Sequence, residues 1–214
     1  MRNIRSQSHP VWQNRRCVLR GNFPETIWAS LVDTTSLTRR LQELCGGEFR
    51  VHVMKQGWAR PTYEEARVLG LRAGAYANVR EVHLLCHEYP CVFARTVIPP
   101  RTLCGRYRRL THLGSRPLGA VLFADKTLRR SGMEMARITT GHYLFERATG
   151  HLRKRPAVIW GRRSLFHLAG KPLLLSEIFL STALFKNHPL RKTNPAHRQT
   201  KRSPLPVCAA DASG

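Results

Sequence analysis

The pattern of hydrophobic and polar residues singles out two stretches of the chain, the first cleanly alternating. Val79-Arg80-Glu81-Val82-His83-Leu84-Leu85-Cys86 puts Arg80, Val82, Leu84 and Cys86 on one face of a strand. Glu81, His83 and Leu85 take the other, more polar face, which predicts that His83, like His87 beyond it, is solvated. Leu173-Leu-Leu-Ser-Glu177-Ile-Phe-Leu180 is a largely apolar run holding one ionisable residue. As a strand it aligns Leu173, Leu175, Glu177 and Phe179. The same period predicts strands over Phe49 to Met54, Cys91 to Ile98, Met133 to Ile138 and Ser164 to Leu168. Turns at His87 to Pro90 and Ala169 to Pro172 make two hairpins.

Helical spacing appears elsewhere. Pro24 and Glu25 open a short helix through Val32. Leu37, Leu41 and Leu44 recur at i, i+4 and i+7, with Thr34, Thr35 or Ser36 as cap and Gly46 as stop. Thr62-Tyr-Glu-Glu65 fits a capping box for a helix ending near Gly70. A helix-rich stretch from Thr102 to Phe123 breaks at Gly114 to Pro117, and Pro117 suits a first helical turn. Strands joined by hairpins, with helices grouped between them, predict an α+β domain: an antiparallel sheet with helices on one side.

The ends of the chain lack this order. Residues 1–22 read as a basic arm, residues 23–185 as the domain, and residues 186–214 as a basic, disordered tail. Residues 139–159, with Arg147, Arg153, Lys154 and Arg155, read as a surface loop or insertion.

The 214 residues, 42% hydrophobic, suffice for one domain with a real core. No apolar run approaches the roughly 18 residues of a membrane span. The first 21 residues have arginines but no apolar stretch after them, so no secretory signal is expected. Six cysteines at 17, 45, 86, 91, 104 and 208 follow no framework spacing and read as reduced cytoplasmic thiols. Cys86 and Cys91 flank a turn, but His83 and His87 fall on the opposite face, and no metal is expected. A formal charge of +23 attracts nucleic acid and small dianions alike. The basic residues are spread, and no zinc-finger, ribonucleoprotein or helix-turn-helix pattern accompanies them.

Glu177 on an apolar face loses its water, so it must be neutralised, paired or met by a ligand. Arg80 lies on the apolar side of its own strand, and its planar fork binds carboxylates bidentately. Two opposite charges on apolar faces of two strands imply either a mutual ion pair or a pocket for a polar anion. Arg163 is a further candidate partner for Glu177, and Arg162 and Arg163 otherwise read as surface or supporting groups.

Six ordered pieces carry a family resemblance. They are Ser36-Leu-Thr-Arg-Arg40, Arg80 to Cys86, Ala94-Arg-Thr-Val-Ile-Pro99, Pro117-Leu-Gly-Ala-Val-Leu-Phe123, Trp160-Gly-Arg-Arg-Ser164, and Gly170 to Leu180. Together the chain resembles the chorismate lyases, which make 4-hydroxybenzoate and pyruvate from chorismate on the way to ubiquinone. The resemblance implies an antiparallel sheet of about six strands, with the ligand buried under two helical flaps. It implies that Arg80 grips the ring carboxylate and Glu177 meets the 4-hydroxyl. Leu118 would offer its backbone at a helix start, and Leu37 an apolar flap contact where the family has methionine. Arg95, sharing a face with Phe93 and Val97, is a candidate for the pyruvyl carboxylate. No cofactor and no partner beyond substrate and product are expected of a cytoplasmic monomer. Two alternatives stand beside this: a non-catalytic module of the same fold that binds small aromatic acids, and a basic nucleic-acid-binding protein. The first, if a transcriptional regulator's effector domain, would need a helix-turn-helix, for which about 24 residues before the first helix leave no room.

Overall fold

The computed structural model describes residues 8–181; the basic tail expected over residues 186–214 lies outside them. Seven strands appear in chain order: β1 (Gln13–Asn14), β2 (Phe49–Ala59), β3 (Ala77–Cys86), β4 (Tyr89–Ile98), β5 (Arg129–Thr139), β6 (Val158–Leu168) and β7 (Lys171–Phe179). They form one antiparallel sheet in the order β1-β5-β6-β7-β4-β3-β2. The expected sheet of about six strands is thus joined by a seventh. That strand is two residues of the basic arm, pairing with Met135 and Glu134 at the edge of β5.

Both central hairpins are tighter than the composition of their turns suggests. β3 and β4 reverse through His87 and Glu88, with φ of 48° and 65°. β6 and β7 reverse through Ala169 and Gly170, with φ of 46° and 76°. Two central residues at positive φ match the right-handed twist of the flanking strands. In consequence the paired strands run a residue or two further than alternation alone marks, and β2, β5 and β6 are longer too.

Five α-helices are spaced between the strands: α1 (Glu25–Val32), α2 (Leu37–Leu44), α3 (Tyr63–Val68), α4 (Leu118–Phe123) and α5 (Tyr143–Thr149). The cap of α2 is Ser36, which accepts from the Arg39 amide at 3.4 Å. Thr62 and Glu65 form the capping box of α3. Gly46 follows α2 with φ of 55°, a conformation glycine adopts without a Cβ penalty. Within the stretch from Thr102 to Phe123, Gly105–His112 is a 3-10 helix rather than an α-helix. Pro117 is the cap of α4 and lies just before its first turn.

Helices cover both faces of the sheet, not one. Ile27 and Leu31 of α1, Leu37 and Leu41 of α2, and Leu118 and Leu122 of α4 pack with Val82, Leu84, Val92 and Phe166 in the main core. On the reverse face α5 buries Leu144, Phe145 and Ala148 against Phe93, Ile138 and Ile178. Next to it, Leu69 and Val68 at the end of α3 pack on Val79, Val97 and Leu174. The expectation of a single covered face fails for two reasons. Residues 139–159, which read as irregular, contain α5. The face bearing Glu81, His83 and Arg95 looks polar in sequence, yet those residues are 0%, 4% and 3% exposed. Their polarity is satisfied internally.

His83 illustrates this. Its ring lies 5.7 Å from Phe93 and 5.8 Å from His151, and Nε2 is 3.3 Å from the Ala148 carbonyl of α5. Another departure concerns the thiols. Cys45, at the end of α2, is disulfide-bonded to Cys86, at the end of β3, where free thiols were expected. A separation of 41 residues carries no sequence signal; the fold alone brings the Cα atoms to 5.4 Å. The link fastens α2 to the sheet. Cys17, Cys91 and Cys104 are free.

Burial pulls the His83 pKa below its usual value, against an opposing contribution from the Ala148 carbonyl. The unfolded chain therefore takes up a proton near pH 6.5 that the folded protein resists. Stability should be full above about pH 6.5 and decline as pH falls below it, with unfolding favoured by the protonated imidazole. Urea unfolding followed between pH 5 and pH 7.5 should show that slope, and His83→Gln should flatten it.

Candidate functional site

The register of the strands sets the geometry of the front face. Arg162, Glu177, Ala94 and Val82 lie in one row across β6, β7, β4 and β3. Ser164, Leu175, Thr96 and Arg80 form the next row. Arg80 and Glu177 are thus two strands and one row apart, which is about 10 Å across the sheet. They do not pair with each other. Between them is a cavity of about 540 Å³, counted out to its mouth, with Arg80, Glu177, Leu37, Leu118, Arg130 and Phe166 in its wall. Its floor is the sheet, at Val82, Ala94, Thr96 and Leu175, and its roof is the start of α2 and the start of α4.

The two roof elements fit closely. A Cβ placed on Gly119 would lie 2.9 Å from Thr38 Oγ1 and 3.2 Å from Ser36 Oγ. Glycine there lets the start of α4 rest directly on the start of α2. The Leu118 amide is one of the first four of α4, which have no acceptor within the helix.

Glu177, 7% exposed, is held by Arg162. Arg162 Nε donates to Glu177 Oε2 at 2.6 Å, while Nη1 donates to the Ser30 carbonyl at 2.7 Å and to the Asp33 carbonyl. Those carbonyls belong to the end of α1, where backbone acceptors lack intrahelical donors. One guanidinium therefore neutralises the carboxylate and caps a helix. Glu177 Oε1 accepts no hydrogen bond from the described residues, so that oxygen remains for the cavity. The partner of Glu177 is thus neither Arg80 nor Arg163. Arg163 lies on the reverse face, donating to Glu134 Oε2 at 2.5 Å beneath the Trp12 ring.

Arg80, 2% exposed, donates from Nη1 to Gln56 Oε1 at 2.5 Å. Its Nη2 donates to the Gly114 carbonyl at 2.8 Å and the Arg116 carbonyl at 3.3 Å. Burial lowers its pKa from the usual arginine value. All three acceptors are neutral, so the charge has no anionic partner. These bonds leave donors of the fork unspent. They also tie β3 to the chain that leads into α4.

A scan against family models matches residues 9–189 to "Chorismate lyase". The chain belongs to the chorismate lyase family. A "Probable chorismate pyruvate-lyase" of Methylococcus capsulatus is 48% identical over 149 residues, covering 70% of this chain and 91% of that protein. Proteins of the same name from Azoarcus sp. and Nitrosospira multiformis are 44% and 41% identical, covering 72% and 70% of this chain and 83% of each relative. Among solved structures, the PhnF C-terminal domain matches with a TM-score of 0.50 and 13% identity, over 62% of this chain and 82% of that one. That likeness concerns the fold alone. No helix among the described residues is long and apolar enough to cross a membrane.

For a chorismate lyase family member, the cavity gathers Leu37, Arg80, Leu118 and Glu177, four of the five residues singled out in the sequence. The fifth, Arg95, is not there. Strand pairing sets Arg95 opposite Glu81 and Ser176, on the reverse face. There it donates from Nε and Nη2 to the two oxygens of Glu65 at 2.7 and 2.9 Å, and from Nη1 to Glu81 Oε1 at 2.5 Å. Arg147 completes the cluster by donating to Glu81. Burial opposes the charge on Arg95, but the bidentate bond to Glu65 holds its pKa above the usual value. The same opposition holds at Glu81, where bonds from Arg147 and Arg95 outweigh burial and lower the pKa. Arg95 is a strut between α3 and the sheet, and its expected role toward the ligand is withdrawn.

Two more arginines stand on the front face, one read from the sequence as a surface or supporting group and one not singled out there. Arg162, read as a surface or supporting group, is buried and supports Glu177. Arg130 lines the cavity, and strict alternation through Met133 and Met135 places it on the wrong side. A bulge between Arg130 and Gly132 shifts the register so that Arg130 faces Phe166. No pattern of residue types announces that bulge.

Arg95→Ala should leave the Glu65 and Glu81 carboxylates buried with one cation fewer. Removing one partner of a buried pair costs about 3–5 kcal/mol. Chemical denaturation should show that loss, and the Arg80→Ala protein should be far less affected than Arg95→Ala.

Proposed function

We propose that this protein converts chorismate to 4-hydroxybenzoate and pyruvate. The observation that carries the reading is a roofed cavity whose opposite sides present a cation with no anionic partner and a carboxylate with a free oxygen. Between them the wall is apolar, at Leu37, Val82, Leu118 and Leu175. A six-membered ring with a carboxylate at one end and a hydroxyl at the other is complementary to that arrangement. The relatives named chorismate pyruvate-lyase support the same substrate.

In this reading Arg80 receives the ring carboxylate, assisted by the Leu118 amide at the start of α4. Glu177 Oε1 accepts a hydrogen bond from the 4-hydroxyl. The bond between the ring and the enolpyruvyl oxygen breaks as the hydrogen on the hydroxyl-bearing carbon is lost. That hydrogen ends on the departing methylene, which becomes the methyl group of pyruvate. All atoms of the substrate are recovered in the two products. The ring becomes aromatic, so the driving force lies in the substrate. The protein's task is to hold one conformer and to stabilise charge as it moves. Arg162 holds Glu177 in place throughout. Ubiquinone synthesis is the pathway proposed for the product.

Glu177→Ala and Arg80→Ala should each cut pyruvate release from chorismate about 30- to 1,000-fold, the equivalent of roughly 2–4 kcal/mol of lost transition-state contact. Appearance of 4-hydroxybenzoate by absorbance measures this directly. Near-normal rates in both variants would refute the site. Calorimetry should show wild-type protein binding 4-hydroxybenzoate, since ring, carboxylate and hydroxyl contacts all persist in the product.

A further inference from the structure

Chorismate carries two carboxylates, and the site so far described offers a cation to only one. The second lies on the enolpyruvyl group, beside the hydroxyl-bearing carbon. A receptor for it should therefore stand near Glu177 and away from Arg80. Arg130 stands there. It lines the cavity with Glu177 and Phe166. Its guanidinium carbon is 4.6 Å from the centre of the Phe166 ring, a cation–π contact that holds it in the cavity wall. It stands on β5, two strands from Glu177 and four from Arg80, so it is nearer the Glu177 side of the cavity.

The group is also unspent. Arg130 Nη1 is buried and has no hydrogen-bond partner, and no described carboxylate forms an ion pair with Arg130. Among the described residues, the other buried side-chain polar atoms without a partner are neutral, on Ser30, Asn78 and Ser164. Arg80, Arg95, Arg162 and Arg163 all have hydrogen-bond acceptors. Arg130 is half-buried, and a guanidinium donor buried without an acceptor is unfavourable unless an anion arrives. Burial and the nearby Arg162 pull the Arg130 pKa down to about 10, so it is still charged at neutral pH.

The geometry points to Arg130 as the receptor of the enolpyruvyl carboxylate, a binding group for the pyruvyl half of the substrate. This rests on the reading of the cavity as a chorismate site. It divides the labour: Arg80 serves the half that leaves as 4-hydroxybenzoate, and Arg130 the half that leaves as pyruvate. Arginine suits the task because two parallel N–H bonds set the orientation of a carboxylate as well as its position. The enolpyruvyl group is held where its methylene can collect the ring hydrogen.

The test compares wild type, Arg130→Gln and Arg130→Lys on two ligands. For Arg130→Gln, kcat/KM for chorismate should fall about 10- to 100-fold, the range for a lost hydrogen bond to a charged group. The Kd for 4-hydroxybenzoate, which lacks the second carboxylate, should stay within about threefold. Arg130→Lys should regain part of the lost kcat/KM, because the charge returns without the fork. Bound 4-hydroxybenzoate also reports that each variant is folded. Equal losses for both ligands, or kcat/KM within about threefold of wild type in Arg130→Gln, would overturn the assignment. If Arg130→Gln does not fold, Arg130→Lys decides alone: an unchanged ratio of the two constants overturns the proposal. If wild type neither binds 4-hydroxybenzoate nor consumes chorismate, the chorismate reading itself fails, which is a separate result.

Discussion

The bond from Arg162 to Glu177 is the constraint on which the rest of the front face depends. An ionised carboxylate on an apolar sheet face is expensive, and a buried pair repays that cost only when the remaining donors are used. Arg162 uses its own on the carbonyls that end α1. One side chain thereby joins the sheet, the first helix and the carboxylate of the cavity. It takes only one of the two carboxylate oxygens, so Glu177 is neutralised without being consumed. Arg80 shows the complementary solution. It is held by three neutral acceptors, which fix its direction and leave its charge unanswered. The cavity is thus built from a nearly satisfied anion and a satisfied-in-geometry but uncompensated cation.

The reverse face follows the opposite rule. Arg95, Glu65, Glu81 and Arg147 answer one another, and the four formal charges cancel. Glu65 also closes the capping box of α3, so the same carboxylate sets a helix start and a buried ion pair. A closed network stiffens a sheet but has nothing to offer a ligand. The difference between the faces is therefore one of accounting: charges balanced within the protein are structural, and charges left over are available.

That difference explains how far the sequence could be read. Period-two alternation marked β3, β4 and β7 and the apolar settings of Arg80 and Glu177. The capping signals of Ser36 and Thr62 marked α2 and α3 correctly. Alternation cannot say what covers the second face. Glu81, His83 and Arg95 therefore looked solvated or ligand-facing, when α3 and α5 bury them. α5 itself was hidden because seven residues give too few turns for a helical period to show. The Cys45–Cys86 link was hidden because its two residues meet only in the finished fold. Parity could not have placed Arg130 either, since it lies before the expected strand and a bulge adds one residue and inverts everything beyond it.

The bulge has a functional logic that follows from its position. Without it, Ser131 would stand opposite Phe166 and Arg130 would face the reverse side of β5. The extra residue turns a guanidinium into the cavity without lengthening the sheet or disturbing Met133 and Met135, which remain in the core. Bulges re-aim side chains at the rims of sheets and beside active sites. Here the rearrangement leaves a cation beside Phe166 with no internal answer, at a cost in stability that a second substrate carboxylate would relieve. A purely structural arginine would be expected to find an acceptor, as Arg95, Arg162 and Arg163 do. Among the described residues, the one arginine with a buried donor and no acceptor is Arg130, in the wall of the cavity.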